Sequence, residues 1–134
     1  VETIYDYQHK LNQLIGRDTI NSPDKLKWLF DYAFALSDEC HELMNCCSWK
    51  WWSKDVKNNT VEQYKHVFDI DNAKIEAIDC LHFLISIFQI LDMSPQEIER
   101  IYKMKWEANI KRQQNNYDVK NKTEDDNDEI KRNI

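Results

Sequence analysis

The 134-residue sequence contains one glycine, Gly16, and two prolines, Pro23 and Pro95. Tight β-turns and phosphate-cradling loops draw on those residues repeatedly, so their scarcity argues against sandwiches, Rossmann units and P-loops and leaves a predominantly helical protein. An excess of positive charge is also missing. At a net charge of −6 the whole-protein field does not attract nucleic acid or an anionic membrane, and an anionic ligand needs local cations or a metal. The longest apolar stretch, Cys80 to Leu91, is too short to span a bilayer and is broken by His82, Ser86 and Gln89. No secretory leader is visible, and Cys40, Cys46, Cys47 and Cys80 lie in apolar helical contexts. That usage predicts reduced, buried thiols in a cytoplasmic compartment. What is present is 42% hydrophobic and 31% charged residues, enough for a single core in a chain of one-domain length.

Periodicity organises the chain as a bundle of about four main helices. Ile4, Tyr7, Leu11 and Leu14 mark one apolar face of a first helix over residues 3 to 16. Ser22-Pro23-Asp24 places a cap before Pro at the first helical position. Leu26, Leu29, Ala33, Leu36, Cys40, Leu43 and Cys47 then form the core stripe of a long helix ending near Trp52. Residues 53 to 59 read as a loop, and Thr60 with Gln63 as the capping box of a short helix to Phe68. The third main helix, Ala73 to Leu91, is apolar on nearly all sides and belongs at the centre of the bundle. Its polar residues, Glu76, Asp79, His82, Ser86 and Gln89, make a single stripe, as expected of a site or an interface. Ser94-Pro95-Gln96-Glu97 opens a last helix reaching Gln114. Residues 118 to 134 are polar and aperiodic and are expected to form a mobile tail after a domain spanning 1 to 117.

Glu39 and Glu42 stand three apart on the long helix, and Glu76 and Asp79 three apart on the central one, so each pair shares a helix face. Taken singly, such pairs are ordinary solvated surface. Glu76 and Asp79, however, lead into a mostly apolar helix, where a carboxylate must be paired, protonated or metal-bound. Four carboxylates on two facing helices form an all-oxygen nest suited to Mg²⁺ or Mn²⁺. The last helix is locally basic, with Arg100, Lys103, Lys105, Lys111 and Arg112, which serves phosphates as well as it serves the helix dipole. Lys50 lies among Trp49, Trp51 and Trp52, where an aromatic ring can stack on a base or simply pack. Gln8 and Asn12, one turn apart, can present donor and acceptor pairs to a base edge.

The ordered set YQHKLN (7 to 12), ECHELMNCCSWKWW (39 to 52), EAIDCLHF (76 to 83) and KWEANIKRQQNNY (105 to 117) resembles the dimeric, all-α dUTPase family. Within it the segments look most like the short phage-type enzymes that hydrolyse dCTP and dUTP, part of the MazG-like nucleotide pyrophosphohydrolase superfamily. The resemblance implies that Glu39, Glu42, Glu76 and Asp79 bind Mg²⁺, with Glu39 deprotonating the attacking water. It places Gln8, Asn12, Trp49 and Phe83 around a pyrimidine base. Lys105, Asn109, Arg112 and Tyr117, with Lys50, are implied to hold the phosphates. The implied reaction converts a nucleoside triphosphate to the monophosphate and pyrophosphate, with dUTP the expected substrate and dCTP the alternative. Asn116 stands where the family often has Gly before the final Tyr, and Trp106 where an Asn commonly follows the Lys. Leu91 runs almost directly into Ser94, without the helices that larger dimeric dUTPases insert, which favours the short branch.

Other classes fit less well. A di-iron bundle wants Glu-x-x-His from two helices, and Glu39 is followed three residues on by Glu42. The Cys and His spacings match no common zinc pattern. A purely structural helical interaction protein leaves the polar stripe unexplained. Trp28, Phe30, Phe34 and Trp51 exceed what one small bundle can cover, so a homodimer is expected, acting on a small nucleotide with neither nucleic acid nor membrane as partner.

Overall fold

The computed structural model describes residues 2–47, 50, 52, 69–115 and 125–134. Among these the chain is all-α, with no β-strand. It divides into two compact units, Val1–Asp92 and Met93–Ile134. No single helix among the described residues is long and apolar enough to cross a membrane.

In the first unit, α1 spans Ile4–Leu14. Thr3 caps it reciprocally with Asp6: the Thr3 hydroxyl accepts from the Asp6 amide at 3.4 Å, and the Thr3 amide donates to the Asp6 carboxylate at 3.1 Å. The only glycine in the sequence ends the helix. Gly16 adopts φ +86°, and the amides of Gly16 and Arg17 return to the carbonyls of Gln13 and Asn12 at 3.0 and 2.9 Å. These are the two bonds of a Schellman turn, and the positive φ is what glycine supplies there.

The second helix starts later and stops earlier than its apolar periodicity implies. Ser22 and Pro23 lead into a 3₁₀ turn, Lys25–Trp28, and α2 runs Leu29–Met44. Tertiary ties account for both ends. Lys25 Nζ donates to the carbonyls of Ile20 and Gln89 at 2.9 and 3.3 Å and pairs with the Asp92 carboxylate, drawing residues 25 to 28 into a tight turn. At the other end the Cys46 carbonyl accepts from the Asp69 amide at 2.9 Å, and Cys46 Sγ accepts from Asn72 Nδ2 at 3.2 Å. Helix continuation past Met44 gives way to these links with the start of α3, Ile70–Ile90. The loop expected at 53 to 59 and the short helix at 60 to 68 lie outside the described residues.

α2 packs chiefly on α3, and α1 lies across α3. The α2 stripe turned inward is Tyr32, Leu36, Glu39 and Leu43, at 4-3-4 spacing, and buried Cys46 follows just past the helix end. Of the expected stripe, Leu29, Leu36 and Leu43 are half-buried, whereas Leu26, Ala33 and Cys40 are exposed. The cysteines differ from expectation in burial, with Cys46 buried, Cys47 and Cys80 half-buried and Cys40 exposed; all four are free thiols.

Polar residues fill four of the five deepest positions among the described residues. The most completely buried side chains are Ile90, Gln89, Asn12, Thr19 and Ser86. The apolar face of α1 is open instead, with Ile4, Tyr7, Leu11 and Leu14 all exposed, as are Ile75 and Ile78 on α3. In the single chain the central helix therefore buries Ser86 and Gln89 of its polar stripe beside Ile85 and Ile90, half-buries Glu76 and Asp79, exposes His82, and leaves part of its apolar circumference uncovered.

In the second unit α4 spans Pro95–Gln114, with Pro95 in its first turn and the Ser94 hydroxyl accepting from the Glu97 amide at 3.1 Å. α5 spans Asp125–Arg132 and packs on α4 through buried Ile130. The described end of the polar tail is thus helical from 125 to 132. Its earlier part, residues 116–124, lies outside the described residues.

Candidate active site

The packing of α2 on α3 brings three carboxylates together. One oxygen from each of Glu39, Glu76 and Asp79 lies within 4.8 Å of the other two, and all three side chains are half-buried. Helical spacing explains the arrangement: Glu39 continues the buried α2 stripe, and Glu76 and Asp79 are one turn apart on α3. Glu42 is exposed and stands outside this grouping, though its charge still acts on Glu76. Partial burial, a hydrogen bond with Glu39 and the negative charges of Asp79, Glu39 and Glu42 together push the Glu76 carboxyl above its ordinary value. Three crowded carboxylates fit a divalent cation by the chemistry of their hard oxygen donors. Beside it, Cys40 Sγ and Cys80 Sγ are 3.9 Å apart. Burial, contact with Cys40 and the neighbouring carboxylates push the Cys80 thiol up to about 11, so it stays protonated at neutral pH.

Two of these carboxylates open onto a cavity of about 300 Å³. Glu39 and Tyr32 line it from α2, Asp79, His82 and Phe83 from α3, and Gln8, Leu11 and Asn12 from α1. The ring centroids of Tyr32 and Phe83 are 6.2 Å apart at 58°. Arg17 lies over both Trp28, at 5.3 Å, and Tyr32, at 5.8 Å. Burial raises the Tyr32 hydroxyl above its ordinary value, a shift that Arg17 opposes and Asp31 reinforces. Tyr32 is a cavity residue absent from the sequence-based set. Its position seven residues before Glu39, two helical turns along the same face, is the signal that could have found it. A more apolar cavity of about 250 Å³ adjoins, sharing Gln8, Leu11 and His82 and adding Ile4, Tyr7, Ile78, Leu81 and Ile85.

Of the expected base-binding residues, Gln8 and Phe83 therefore share a cavity with Glu39 and Asp79, and Trp49 lies outside the described residues. Asn12 lines the same cavity but is 1% exposed, with its amide committed to Gln8, Thr19, Ser86 and Tyr32. Among the expected phosphate ligands Lys50 is exposed, and Tyr117 lies outside the described residues. Lys105, Asn109 and Arg112 are on α4. There Lys105 Nζ donates to Asn127 Oδ1 at 3.0 Å, and Arg112 Nη1 donates to Asn109 Oδ1 at 3.2 Å.

Carboxylates on facing helices of an all-α chain thus open beside an aromatic and amide-lined cavity. The family model described as dUTPase matches residues 1–89, from α1 through nearly all of α3 and including every carboxylate above, and the chain belongs to that family. It is also similar to the dCTP pyrophosphatase of Enterobacteria phage T4, with 24% identity over 123 residues, covering 75% of this chain and 71% of that relative. No solved structure matches the chain. The protein is accordingly an enzyme of the nucleoside triphosphate pyrophosphohydrolase type.

Proposed function

We propose that the enzyme hydrolyses pyrimidine deoxynucleoside triphosphates with Mg²⁺, dUTP to dUMP and pyrophosphate foremost and dCTP as a second substrate. The observation that carries this reading is the shared cavity: Glu39 and Asp79 line it together with Gln8 and Phe83. A space of about 300 Å³ between helices is at the lower end of small-ligand pockets, which favours a pyrimidine over a purine. The family match and the phage relative's name support the substrate class.

In this reading Glu39, Glu76 and Asp79, with Glu42 at the rim, hold the metal, which when bound lowers the pKa of water and offsets phosphate charge. Glu39 accepts the proton of the attacking water. The water oxygen bonds to the α-phosphorus as the bond to the bridging oxygen of the β-phosphate breaks, and pyrophosphate departs. Gln8 and Phe83, with Trp49, hold the base, while Lys105, Asn109, Arg112, Tyr117 and Lys50 keep the phosphate-binding role that the family resemblance implies. A homodimer acting on free cytoplasmic nucleotides is the proposed working form, supported by the open apolar faces of α1 and α3.

The test is a panel of dUTP, dCTP, TTP, dATP and dGTP with Mg²⁺ and separate detection of pyrophosphate and orthophosphate. Pyrophosphate from the pyrimidine substrates is expected. Orthophosphate release, or equal turnover of dATP and dGTP, would overturn the reading. Glu76→Gln should lower activity by on the order of 100-fold while raising the melting temperature of the metal-free protein, because it removes a charge from a crowded carboxylate cluster. Full activity in this variant would remove Glu76 from the site.

A further inference from the structure

Asn12 lines the cavity, yet its amide has no polar atom left for a base, and two backbone carbonyls explain why. Gln89 Nε2 donates to the Tyr5 carbonyl at 2.9 Å. That carbonyl can only accept, so Gln89 turns Oε1 toward Thr19, whose hydroxyl donates to it. With its proton spent, Thr19 Oγ1 accepts from Asn12 Nδ2 at 3.2 Å. Independently, the Ser86 hydroxyl donates to the His82 carbonyl at 2.9 Å and accepts from Asn12 Nδ2 at 3.0 Å. Both Asn12 amide protons thus point one way. Its Oδ1 points the other, accepting from Tyr32 Oη and Gln8 Nε2, each at 3.2 Å. A reversed Gln8 amide would set oxygen against oxygen.

We infer that Asn12 is a positioning residue: the polarised chain through Thr19, Ser86, Gln89 and Tyr32 fixes its amide, and Asn12 in turn pins Gln8 so that Gln8 offers the base its Oε1 as an acceptor. The specificity consequence rests on the proposal that the cavity takes a pyrimidine. Among the described residues Gln8 Oε1 has no hydrogen-bond partner, and no fully buried side-chain oxygen or nitrogen lacks one, so this oxygen is reachable. A pinned Gln8 asks the base for an N–H. Uracil supplies N3–H, with a flanking carbonyl for the second Nε2 proton; cytosine supplies N4–H, with N3 beside it. Either base is read by a small shift of the ring. The free amide rotation that a solvent-exposed Gln would use to suit both bases is closed off by Asn12.

Uracil methylated at N3 has no donor for Gln8 Oε1, so the wild-type enzyme should prefer dUTP over N3-methyl-dUTP by on the order of 10- to 100-fold in kcat/KM, the usual consequence of leaving such an acceptor unpaired. Gln8→Ala should abolish that preference. The pair Thr19→Val with Ser86→Ala releases the Asn12 amide and should shrink the preference through KM. Thr19→Ser, which keeps both hydroxyls and loses only a methyl, should retain it. A purely structural network would instead lower the melting temperature in all of these variants and leave the preference intact, and that result overturns the inference. So does equal use of the two nucleotides by wild type. A second measurement needs no substrate: in the NMR spectrum of the wild-type chain, the Asn12 side-chain amide protons should show cross-peaks to Thr19 and Ser86. Cross-peaks to the Gln8 amide in their place refute the polarity outright. Intact polarity in a protein that hydrolyses no pyrimidine triphosphate would sink the proposed substrate while leaving Asn12 as the residue that orients Gln8.

Discussion

Asp18 illustrates how much of this protein's order comes from single polar side chains. Its carboxylate accepts from the amides of Ile20 and Asn21 at 3.1 and 2.9 Å, and it meets His9 Nε2 at 2.7 Å. The loop it organises carries Thr19, the link that hands the polarity of Gln89 on to Asn12. The Asn21 amide first, then His9, holds the Asp18 carboxyl far below its ordinary value. A group whose pKa is depressed in the folded state contributes stability above its unfolded pKa and loses it as pH falls through the folded value. Thermal melts should therefore show Asp18→Asn less stable than wild type at pH 7, with the two curves converging below about pH 4, where the unfolded-state carboxyl titrates. A gap that stays constant down to pH 2 would mean that Asp18 acts through shape alone. None of this was legible in the sequence. Asp18 reads there as one polar residue in a polar turn, because its partners come from a loop conformation that periodicity does not encode.

At the scale of elements, legibility tracked how local the determining interactions are. Ser94-Pro95-Gln96-Glu97 announces the start of α4, and the Ser94 hydroxyl does accept from the Glu97 amide. The carboxylate pairs were legible for the same reason, since three-residue spacing on a helix needs no tertiary information. The ends of α2 were not, because Lys25 and Cys46 are tied to residues more than 20 positions away. The buried face of α1 was misjudged for a related reason: Asn12 and Gln8 go inward because Ser86, Thr19 and Tyr32 await them, which no hydrophobic pattern reports. The end of α1 offers a test of a local signal. Gly16 has open space where a Cβ would stand, so Gly16→Ala isolates the left-handed backbone from any clash. It should cost about 1 kcal/mol in urea unfolding. A loss below a few tenths would show that the Schellman turn relaxes and does not fix the path from α1 into the Asp18 loop.

At the scale of the whole molecule, many large apolar side chains among the described residues stay exposed, and that exposure bears on assembly. Ile4, Tyr7, Leu11 and Leu14 line one face of α1, Ile75 and Ile78 stand on α3, and Phe30 and Phe34 project from α2, all exposed. Leu14 is 85% exposed and Phe30 74%. Single exposed apolar residues are ordinary, but faces of this extent on a 16.2 kDa chain exceed what monomers keep in water. An isologous contact between two copies would bury such a face against itself, and the apolar α1/α3 cavity beside the proposed base site lies on it. Sedimentation velocity at micromolar concentration should therefore show a species of twice the chain mass. Leu14→Glu places a charge where the isolated chain already tolerates solvent, so it should leave helix content unchanged while raising the dimer dissociation constant by at least on the order of 10-fold. A wild-type protein that sediments only as a 16.2 kDa species would show that these faces stay open to water. A dimer indifferent to Leu14→Glu would move the interface off α1, onto the surface that Phe30 and Phe34 present.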